Sequence, residues 1–160
     1  MLGFFIRTFD TLDREWASAF IAWRWGADTV VTHETVYHPA TLPGFIAIRQ
    51  NENLGLVTYH IERRDCEIVT LDSVLENNGI GSALIESVKE VAQQARCQRL
   101  WLITTNDNLH ALGFYQRRGF VIAAVHVNAI ERDRLLKPEI PRFGMDRIPI
   151  RDEIELELVL

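Results

Sequence analysis

Apolar residues in the first part of the chain follow two different spacings. Residues 4–9 are mostly apolar and predict a strand, and Asp10 is suited to cap the helix that follows. Apolar positions then recur at helical spacing until Gly26, which is typical of a helix end. The apolar positions of this helix are Leu12, Trp16, Ala19, Phe20 and Trp23. The pattern predicts a strand followed by an amphipathic helix that buries these five side chains.

The next segment predicts a series of strands. A short strand is expected at residues 30–32, and the runs 45–49 and 54–61, separated by four polar residues, predict a hairpin. A further strand over 66–73 follows a charged turn. Short turns of this kind join antiparallel neighbours, so we expect antiparallel pairing through this region.

A helical pattern begins at Gly79, with apolar residues on one face as far as Ala95. The run Leu100 to Ile103 is continuously apolar, as in a central strand that is buried on both faces. A strand, helix and strand of this size predict a parallel crossover. A second helix, capped by Asn106 or Asp107, should follow.

The last forty residues contain one irregular segment between two regular ones. A strand is predicted over 120–127, whereas residues 128–151 contain three prolines and predict a covering loop with a helical turn or two. The segment 153–158 alternates strictly between glutamate and an aliphatic residue. We expect a half-buried antiparallel strand whose glutamates face solvent.

Composition restricts the class of protein. With 160 residues, 48% of them hydrophobic, the chain predicts a single globular domain spanning 1–160. No apolar run approaches the length of a membrane span and residues 1–10 do not resemble a signal peptide, so we expect a cytoplasmic protein that does not bind membranes. A formal net charge of -5 argues against nucleic-acid binding.

The chain contains two cysteines, Cys66 and Cys97. This number is too small for a disulfide framework or a cysteine zinc site, and we expect both to be buried apolar residues. No metal is predicted from the sequence.

The segment Glu76-Asn77-Asn78-Gly79-Ile80-Gly81-Ser82 is the strongest functional signal. It joins a predicted strand to a predicted helix. Glycines allow a ligand to approach the backbone, and the helix end offers N–H groups and a partial positive charge to an anion such as pyrophosphate. A tight turn that needs small residues is the alternative explanation.

A second motif lies downstream, from Asn108 through Phe114-Tyr115 to Gly119-Phe120. Together the two motifs resemble those of the GNAT superfamily of N-acetyltransferases, as a bacterial-type member, over about residues 4–127. The resemblance implies an α/β (α+β) fold, in which a central mixed sheet of six to seven strands has splayed parallel strands and flanking helices. Acetyl-CoA as co-substrate would lie in the slot between those strands.

The resemblance also implies which residues contact coenzyme A. The backbone groups of Leu71 and Ser73 would pair with the pantetheine arm, and Asn108 would reach it from the second helix. The pyrophosphate loop would comprise Gly79, Ile80, Gly81 and Ser82, with Asn77 and Asn78 as possible further donors. Glu76 departs from the pattern, because the family has Gln or Arg there.

Two residues are the catalytic candidates. Tyr115 matches the family tyrosine near the thioester sulfur, where a phenol can protonate the departing thiolate. Glu67 resembles the glutamate that deprotonates the amine in histone-type members. Asp72, His60 and His110 are weaker candidates for the base. The four tryptophans, Trp16, Trp23, Trp25 and Trp101, are better explained by packing in the first helix and the central strand than by an acceptor site.

The sequence therefore predicts an acetyl-CoA-dependent N-acetyltransferase that acetylates a primary amine by direct attack in a ternary complex. The acceptor would be a small-molecule or peptide amine, and a homodimer is possible. A catalytically inactive coenzyme A binding or sensing module is the alternative. A dinucleotide-binding domain is a weaker alternative, because Leu84 stands where a third glycine is needed.

Overall fold

A computed structural model describes residues 3–160. The strands are β1 (Phe5–Thr8), β2 (Val30–Thr32), β3 (Thr35–Tyr37), β4 (Gly44–Arg49), β5 (Glu52–Glu62), β6 (Asp65–Ser73), β7 (Arg99–Thr105), β8 (Val121–His126) and β9 (Glu153–Val159). The helices are α1 (Arg14–Trp25), α2 (Ile80–Gln94), α3 (Leu109–Gln116) and α4 (Ala129–Leu136). The chain forms two compact units. The first holds the residues up to Val30, residues 38–100 and Leu160, and the second holds residues 31–37 and 101–159.

The first unit contains an antiparallel sheet in the order β1, β4, β5, β6. The predicted hairpin and its antiparallel neighbours are confirmed. The core of this unit comprises aliphatic side chains from the sheet and from α2, among them Ile46, Leu56, Val57, Leu84 and Val88. Packing of α2 on the sheet requires Gly55, since a Cβ there would lie 2.9 Å from the side chain of Ile80.

Asp10 begins the first helical segment as predicted. Its side chain accepts a hydrogen bond from the Leu12 N–H at 2.7 Å, and the Asp13 carboxylate accepts one from the Asp10 N–H at 2.9 Å. This reciprocal pair caps a 3-10 turn that leads into α1. Arg7 donates to Asp13 at 2.7 Å and thereby ties β1 to the start of the helix. Gly26 ends α1 in the left-handed conformation, at φ +82°.

The buried face of α1 differs from the predicted one. Ala17, Phe20 and Ile21 are buried, whereas Trp23 is exposed; Leu12 is 91% exposed and lies in the 3-10 turn that precedes α1. Apolar residues lie on more than one side of this helix, so periodicity alone could not select the buried face.

β6 and β7 begin side by side. The Gln98 N–H donates to the Arg64 carbonyl at 2.6 Å, and Arg99 donates to the Asp65 carboxylate at 3.1 Å. Because the two strands start at the same edge and are joined by α2, they are parallel, as the crossover predicted. The prediction that β7 is buried on both faces is wrong. Leu100 and Leu102 are buried, but the alternate residues of β7 are only half-buried.

The second unit contains the antiparallel pair β8 and β9. The helix α4 and a long irregular segment precede β9, in agreement with the predicted irregular segment that contains a helical turn or two. The prediction that the glutamates of β9 face solvent is wrong for Glu153, which is 1% exposed. Glu153 accepts hydrogen bonds from the His33 N–H, at 3.2 and 3.1 Å, in the turn between β2 and β3. Tertiary contacts with this turn cover the glutamate face, and the alternation of residue types could not show them.

Glu153 lies next to a second buried carboxylate, Asp133. Burial raises the pKa of Glu153 to about 8, and the neighbouring Asp133 adds to the increase. Asp133 Oδ2 is the buried side-chain atom for which the described residues supply no hydrogen-bond donor. A proton retained by Glu153 would supply that donor and be shared with Asp133 Oδ2.

Every helix in the described part of the chain is too short or too polar to span a bilayer. The single domain over residues 1–160 and the splay of the parallel strands stay predictions.

Candidate functional site

The loop between β6 and α2 presents backbone groups at a helix end. Gly79 occupies the cap position at φ +79°, and no side chain caps the first turn of α2. The ladder of helical hydrogen bonds starts at Ala83, whose N–H donates to the Gly79 carbonyl at 3.0 Å. The N–H groups that precede Ala83 point out of the helix end, where the partial positive charge attracts an anion.

Side chains of the loop hold its own backbone in shape. Ser73 Oγ accepts a hydrogen bond from the Leu75 N–H at 3.1 Å, and the Asn78 amide donates to the Glu76 carbonyl at 2.7 Å. Asn77 adopts a left-handed conformation, at φ +58°, which asparagine tolerates better than most residues. Ser73, Asn77 and Asn78 therefore have structural roles, and their contacts with coenzyme A stay predictions.

Glu76, the departure from the family pattern, is exposed. Its backbone carbonyl, rather than its carboxylate, shapes the loop. Solvent screens an exposed carboxylate, so its repulsion of a nearby pyrophosphate is weaker than that of a buried acid would be.

β6 carries a one-residue bulge at Val69. Thr58 of β5 lies opposite Thr70, whereas the next residue, Tyr59, lies opposite Ile68, so Val69 has no partner on β5. Residues directly opposite in an antiparallel pair share a face of the sheet. The hydroxyls of Thr58 and Thr70 hydrogen-bond to each other at 2.7 Å, in agreement with this pairing.

The bulge changes which carboxylates share a face. Uninterrupted alternation along β6 would place Glu67 on the same face as Val69 and on the face opposite Asp72. With Val69 bulged, Glu67, Thr70 and Asp72 all lie opposite residues on one face of β5. Two candidate bases that the sequence alone assigns to opposite faces are thereby brought to the same face.

The two carboxylates have different surroundings. Glu67 is 5% exposed and lies opposite His60, which is half-buried. Asp72, at the end of the strand, accepts a hydrogen bond from the Trp25 indole at 2.7 Å and pairs with Arg24 at 3.5 Å. Burial raises the pKa of Asp72, and the Trp25 and Arg24 contacts only partly oppose the increase. Asp72 therefore binds a proton more readily than an ordinary aspartate does.

In the second unit, Asn108 is the cap of α3. Its side-chain oxygen accepts a hydrogen bond from the Ala111 N–H at 3.1 Å. The prediction that Asn106 or Asp107 caps this helix is wrong, because both side chains are engaged elsewhere. The Asn108 amide nitrogen keeps its donor capacity, which is what a contact with the pantetheine arm needs.

Asn106 and Asp107 instead hold the irregular segment before β9. The Asn106 side chain accepts hydrogen bonds from the N–H groups of Arg151 and Asp152, both at 3.0 Å. Asp107 accepts one from the Met145 N–H at 3.1 Å and packs so closely on Gly144 that a Cβ at that position would collide with it. Sequence reasoning missed this role, because the partners lie about forty residues away.

Tyr115 is 8% exposed on α3. Its ring packs edge-on against Phe114 and Phe120, with centroid distances of 5.1 and 5.4 Å. This packing fixes the direction of the phenol, as a proton donor requires, but it also agrees with an ordinary core tyrosine. His110, on the same helix, is exposed.

The model of the acetyltransferase (GNAT) family matches residues 8–120, more than half of the chain. The chain belongs to the GNAT family. It is also 47% identical over 142 residues to the uncharacterised protein YdhI of Bacillus subtilis strain 168, a match that covers 88% of this chain and 89% of YdhI.

Solved GNAT-like structures share the fold. The IAA acetyltransferase of Bacillus cereus aligns with a TM-score of 0.74 at 18% identity, over 98% of this chain and 99% of that one. A GNAT family acetyltransferase of Elizabethkingia anophelis, solved with acetyl-CoA bound, aligns with a TM-score of 0.69 at 19% identity over 100% of both chains. These matches confirm the predicted α/β class with a mixed seven-stranded sheet.

The tryptophans of this GNAT protein are arranged differently from the prediction. Trp16 stacks on Phe20 at 4.9 Å, as expected for helix packing. Trp23 is exposed but retains a tilted ring contact with Phe20 at 6.1 Å. Trp25 is also exposed, and its indole donates to Asp72. Trp25 and Asp72 lie 47 positions apart in the sequence, so no local sequence pattern could have predicted their contact.

Proposed function

We propose that this chain is an acetyl-CoA-dependent N-acetyltransferase that acetylates a primary amine of a small molecule or peptide by direct attack within a ternary complex. The observation that carries the proposal is the uncapped first turn of α2 behind Gly79. Such a helix end suits a pyrophosphate, and it lies inside the region matched by the GNAT family model. Acetyl-CoA contains that pyrophosphate and supplies an activated acetyl group.

The proposed cofactor contacts follow the two motifs. The N–H groups of the α2 end hold the pyrophosphate, the backbone of Leu71 and Ser73 pairs with the pantetheine arm, and Asn108 donates to the same arm. The full set for coenzyme A is Leu71, Ser73, Asn77, Asn78, Gly79, Ile80, Gly81, Ser82 and Asn108. Exposure of Glu76 is compatible with this arrangement, since solvent screens its carboxylate from the anion.

The overall reaction joins the amine nitrogen to the acetyl carbonyl carbon and breaks the carbon–sulfur bond. Two proton transfers accompany it, because the amine loses a proton and the departing thiolate gains one. We assign the proton for the sulfur to the Tyr115 phenol and the acceptance of the amine proton to Glu67. Backbone N–H groups near Leu71 polarise the carbonyl.

Asp72 is the alternative base. It shares the face of Glu67, lies at the end of β6 next to the loop, and its raised pKa brings it closer to the range of an efficient base. Glu67 is our first assignment because it matches the family motif.

Rates of thiol release from acetyl-CoA against a panel of amines test the proposal. The wild type should turn over at least one amine, and Tyr115→Phe should lower kcat about 100-fold or more while coenzyme A binding is retained. Tyr59→Phe is the matched control, because it removes a phenol from the face of β5 opposite to Glu67. Glu67→Gln and Asp72→Asn, compared over pH, identify the base as the residue whose loss removes the acidic limb of the rate profile.

Stoichiometric coenzyme A binding without turnover on any amine would reject the enzyme and favour the binding or sensing module. Absence of coenzyme A binding would reject both.

A further inference from the structure

A cluster of three metal-ligating side chains lies in the second unit, and the proposed acetyl transfer does not use it. His33, His126 and Glu155 each offer a ligand atom, and these atoms lie within 4.8 Å of one another. The three residues come from three elements: the β2–β3 turn, β8 and β9. Only tertiary structure brings them together.

Two of the three side chains lie about as far apart as two ligand atoms of one zinc ion do. His126 Nε2 lies 3.1 Å from Glu155 Oε1. Bonds of about 2.0–2.2 Å to a tetrahedral zinc ion place neighbouring ligand atoms roughly 3.3 Å apart. The rings of His33 and His126 have centroids 4.7 Å apart and are inclined by 66°, so they do not stack face to face. The His33 side chain is 48% exposed and can close the remaining gap by rotating.

The backbone at His33 has an energetically unfavourable conformation. His33 and Glu34 both have left-handed conformations, at φ +54° and +60°, in a turn where asparagine and glycine are usual. Buried carboxylates hold both N–H groups: His33 donates to Glu153, and Glu34 donates to Asp133 at 3.0 Å. A strained turn of this kind persists because the surrounding structure fixes it, and such strain is common where a side chain must be presented in one place.

Glu153 lies close to the ring of the first histidine. Its Oε2 lies 3.8 Å from His33 Nδ1, and His126 lies directly opposite Glu153 in the β8–β9 pair. Histidines that bind metals commonly have a carboxylate near the nitrogen that does not bind, which sets the ring orientation. The cluster therefore has an inner set of three ligands and an outer carboxylate.

We infer that His33, His126 and Glu155 form a binding site for a divalent first-row transition metal ion such as Zn²⁺. Two imidazoles and one carboxylate are a ligand set that suits Zn²⁺, Co²⁺ or Ni²⁺ better than Mg²⁺ or Ca²⁺, which prefer oxygen ligands. Three protein ligands leave a fourth position open to water or to another ligand. A bound ion would link the β2–β3 turn to β8 and β9. The inference is independent of the proposed acetyl transfer.

Calorimetry with Zn²⁺ on the full chain, produced without a histidine tag, tests the site. We expect one ion per chain, and at least tenfold weaker binding for each of His33→Asn, His126→Gln and Glu155→Gln. Asparagine is chosen at position 33 because it tolerates the left-handed conformation, so the turn should survive. His38→Ala, which removes another exposed histidine, is the matched control and should bind Zn²⁺ as the wild type does.

Co²⁺ absorption provides a second readout. Visible d–d bands of four- or five-coordinate Co²⁺, without thiolate-to-metal charge transfer, would support the site. Charge-transfer bands would instead place the ion on Cys66 or Cys97 and overturn the inference. Zn²⁺ binding that is unchanged in the three folded variants, as judged by circular dichroism, or one ion per two chains, would also overturn it.

Discussion

Two turns in this protein differ in whether side chains bind their backbone N–H groups. The junction before α2 leaves the first helical turn without a side-chain cap. The turn between β2 and β3 has both of its central N–H groups, those of His33 and Glu34, bound by the carboxylates Glu153 and Asp133. The first turn is open to an anion from outside, and the second is closed by acids of the protein itself.

The difference gives a criterion for separating a candidate anion-binding turn from a structural one. Both turns contain residues with positive φ and both point N–H groups in one direction, so backbone geometry alone does not separate them. The distinction lies in whether buried acids of the same chain already satisfy the donors. A ligand is expected only where they do not.

The largest effect on stability is expected when the β2–β3 turn loses a carboxylate that binds its N–H groups. Glu153→Ala removes the acceptor of the His33 N–H and leaves a cavity beside Asp133, so the free energy of unfolding should fall by about 2–4 kcal/mol. Urea denaturation measures the change. Glu86→Ala, which removes only a surface pair with Lys89 at 3.8 Å, should cost no more than about 0.5 kcal/mol. Equal costs for the two variants would show that the turn does not depend on Glu153.

The same carboxyl group should make stability depend on pH. The folded chain retains the Glu153 proton up to a pKa of about 8, whereas the unfolded chain releases it near the ordinary value of 4.5. Between these values the folded state binds more protons, so the free energy of unfolding should fall as pH rises. Between pH 5 and pH 8, we expect the free energy of unfolding to fall more in the wild type than in Glu153→Gln. The difference should be at least about 1.4 kcal/mol, the equivalent of one pKa unit. Parallel curves for the two proteins would contradict the shared proton.

Substitution of Gly79, the cap of α2, tests whether the turn before α2 binds coenzyme A. Gly79→Ala should weaken coenzyme A binding at least tenfold, because the residue resists the φ of +79° that directs the helix end and its Cβ crowds the ligand. Gly26→Ala introduces the same strain at φ +82°, with no atom within 4 Å of the new Cβ. Both variants should lose about 1–2 kcal/mol of stability, but Gly26→Ala should bind coenzyme A normally in calorimetry. Equal affinities in the two variants would remove the α2 end from the cofactor site.

A smaller effect is expected at the α3 cap. Asn108→Ala removes the acceptor of the Ala111 N–H and should cost about 1 kcal/mol in thermal or urea unfolding. Asn108→Ser retains a capping oxygen and should recover most of that stability while losing the amide donor proposed for the pantetheine arm. Recovery of stability without recovery of coenzyme A affinity would separate the two roles, whereas recovery of both would reject the amide contact.

Much of the first unit could be predicted because its signals are local. Asp10 and Asp13 cap a turn three residues long, Gly26 ends the helix it follows, and Gly79 begins α2 where the strand pattern stops. The face of α1 could not be predicted, because the helix carries exposed apolar side chains, Trp23 and Trp25, as well as the buried Phe20. Selection of the buried side required the tertiary contacts of α1, among them those with the 3-10 turn Pro39–Thr41.

The candidate site divides in the same way. The residues of the loop before α2 are neighbours in sequence, so the spacing of Gly79 and Gly81 was sufficient to locate it. Two contacts join distant segments: the hydrogen bond of Trp25 to Asp72, and the close packing of Asp107 on Gly144. No pattern in the sequence predicts either contact. Asn106 and Asp107 were mistaken for helix caps because their residue types suit both roles.

The sequence by itself determined most of the secondary structure, the GNAT motifs and the position of the glycine-containing loop before α2, since hydrogen bonds and periodicities within a few residues encode all three. Tertiary structure decided which carboxylates face one another. A one-residue bulge at Val69 brings Glu67 to the face of Asp72, and the β8–β9 register places His126 beside Glu155 and opposite Glu153. Strand register depends on pairing between distant segments, and a slip of one residue moves every side chain to the other face. For this reason the chemistry that lies across strands became visible only in the folded protein.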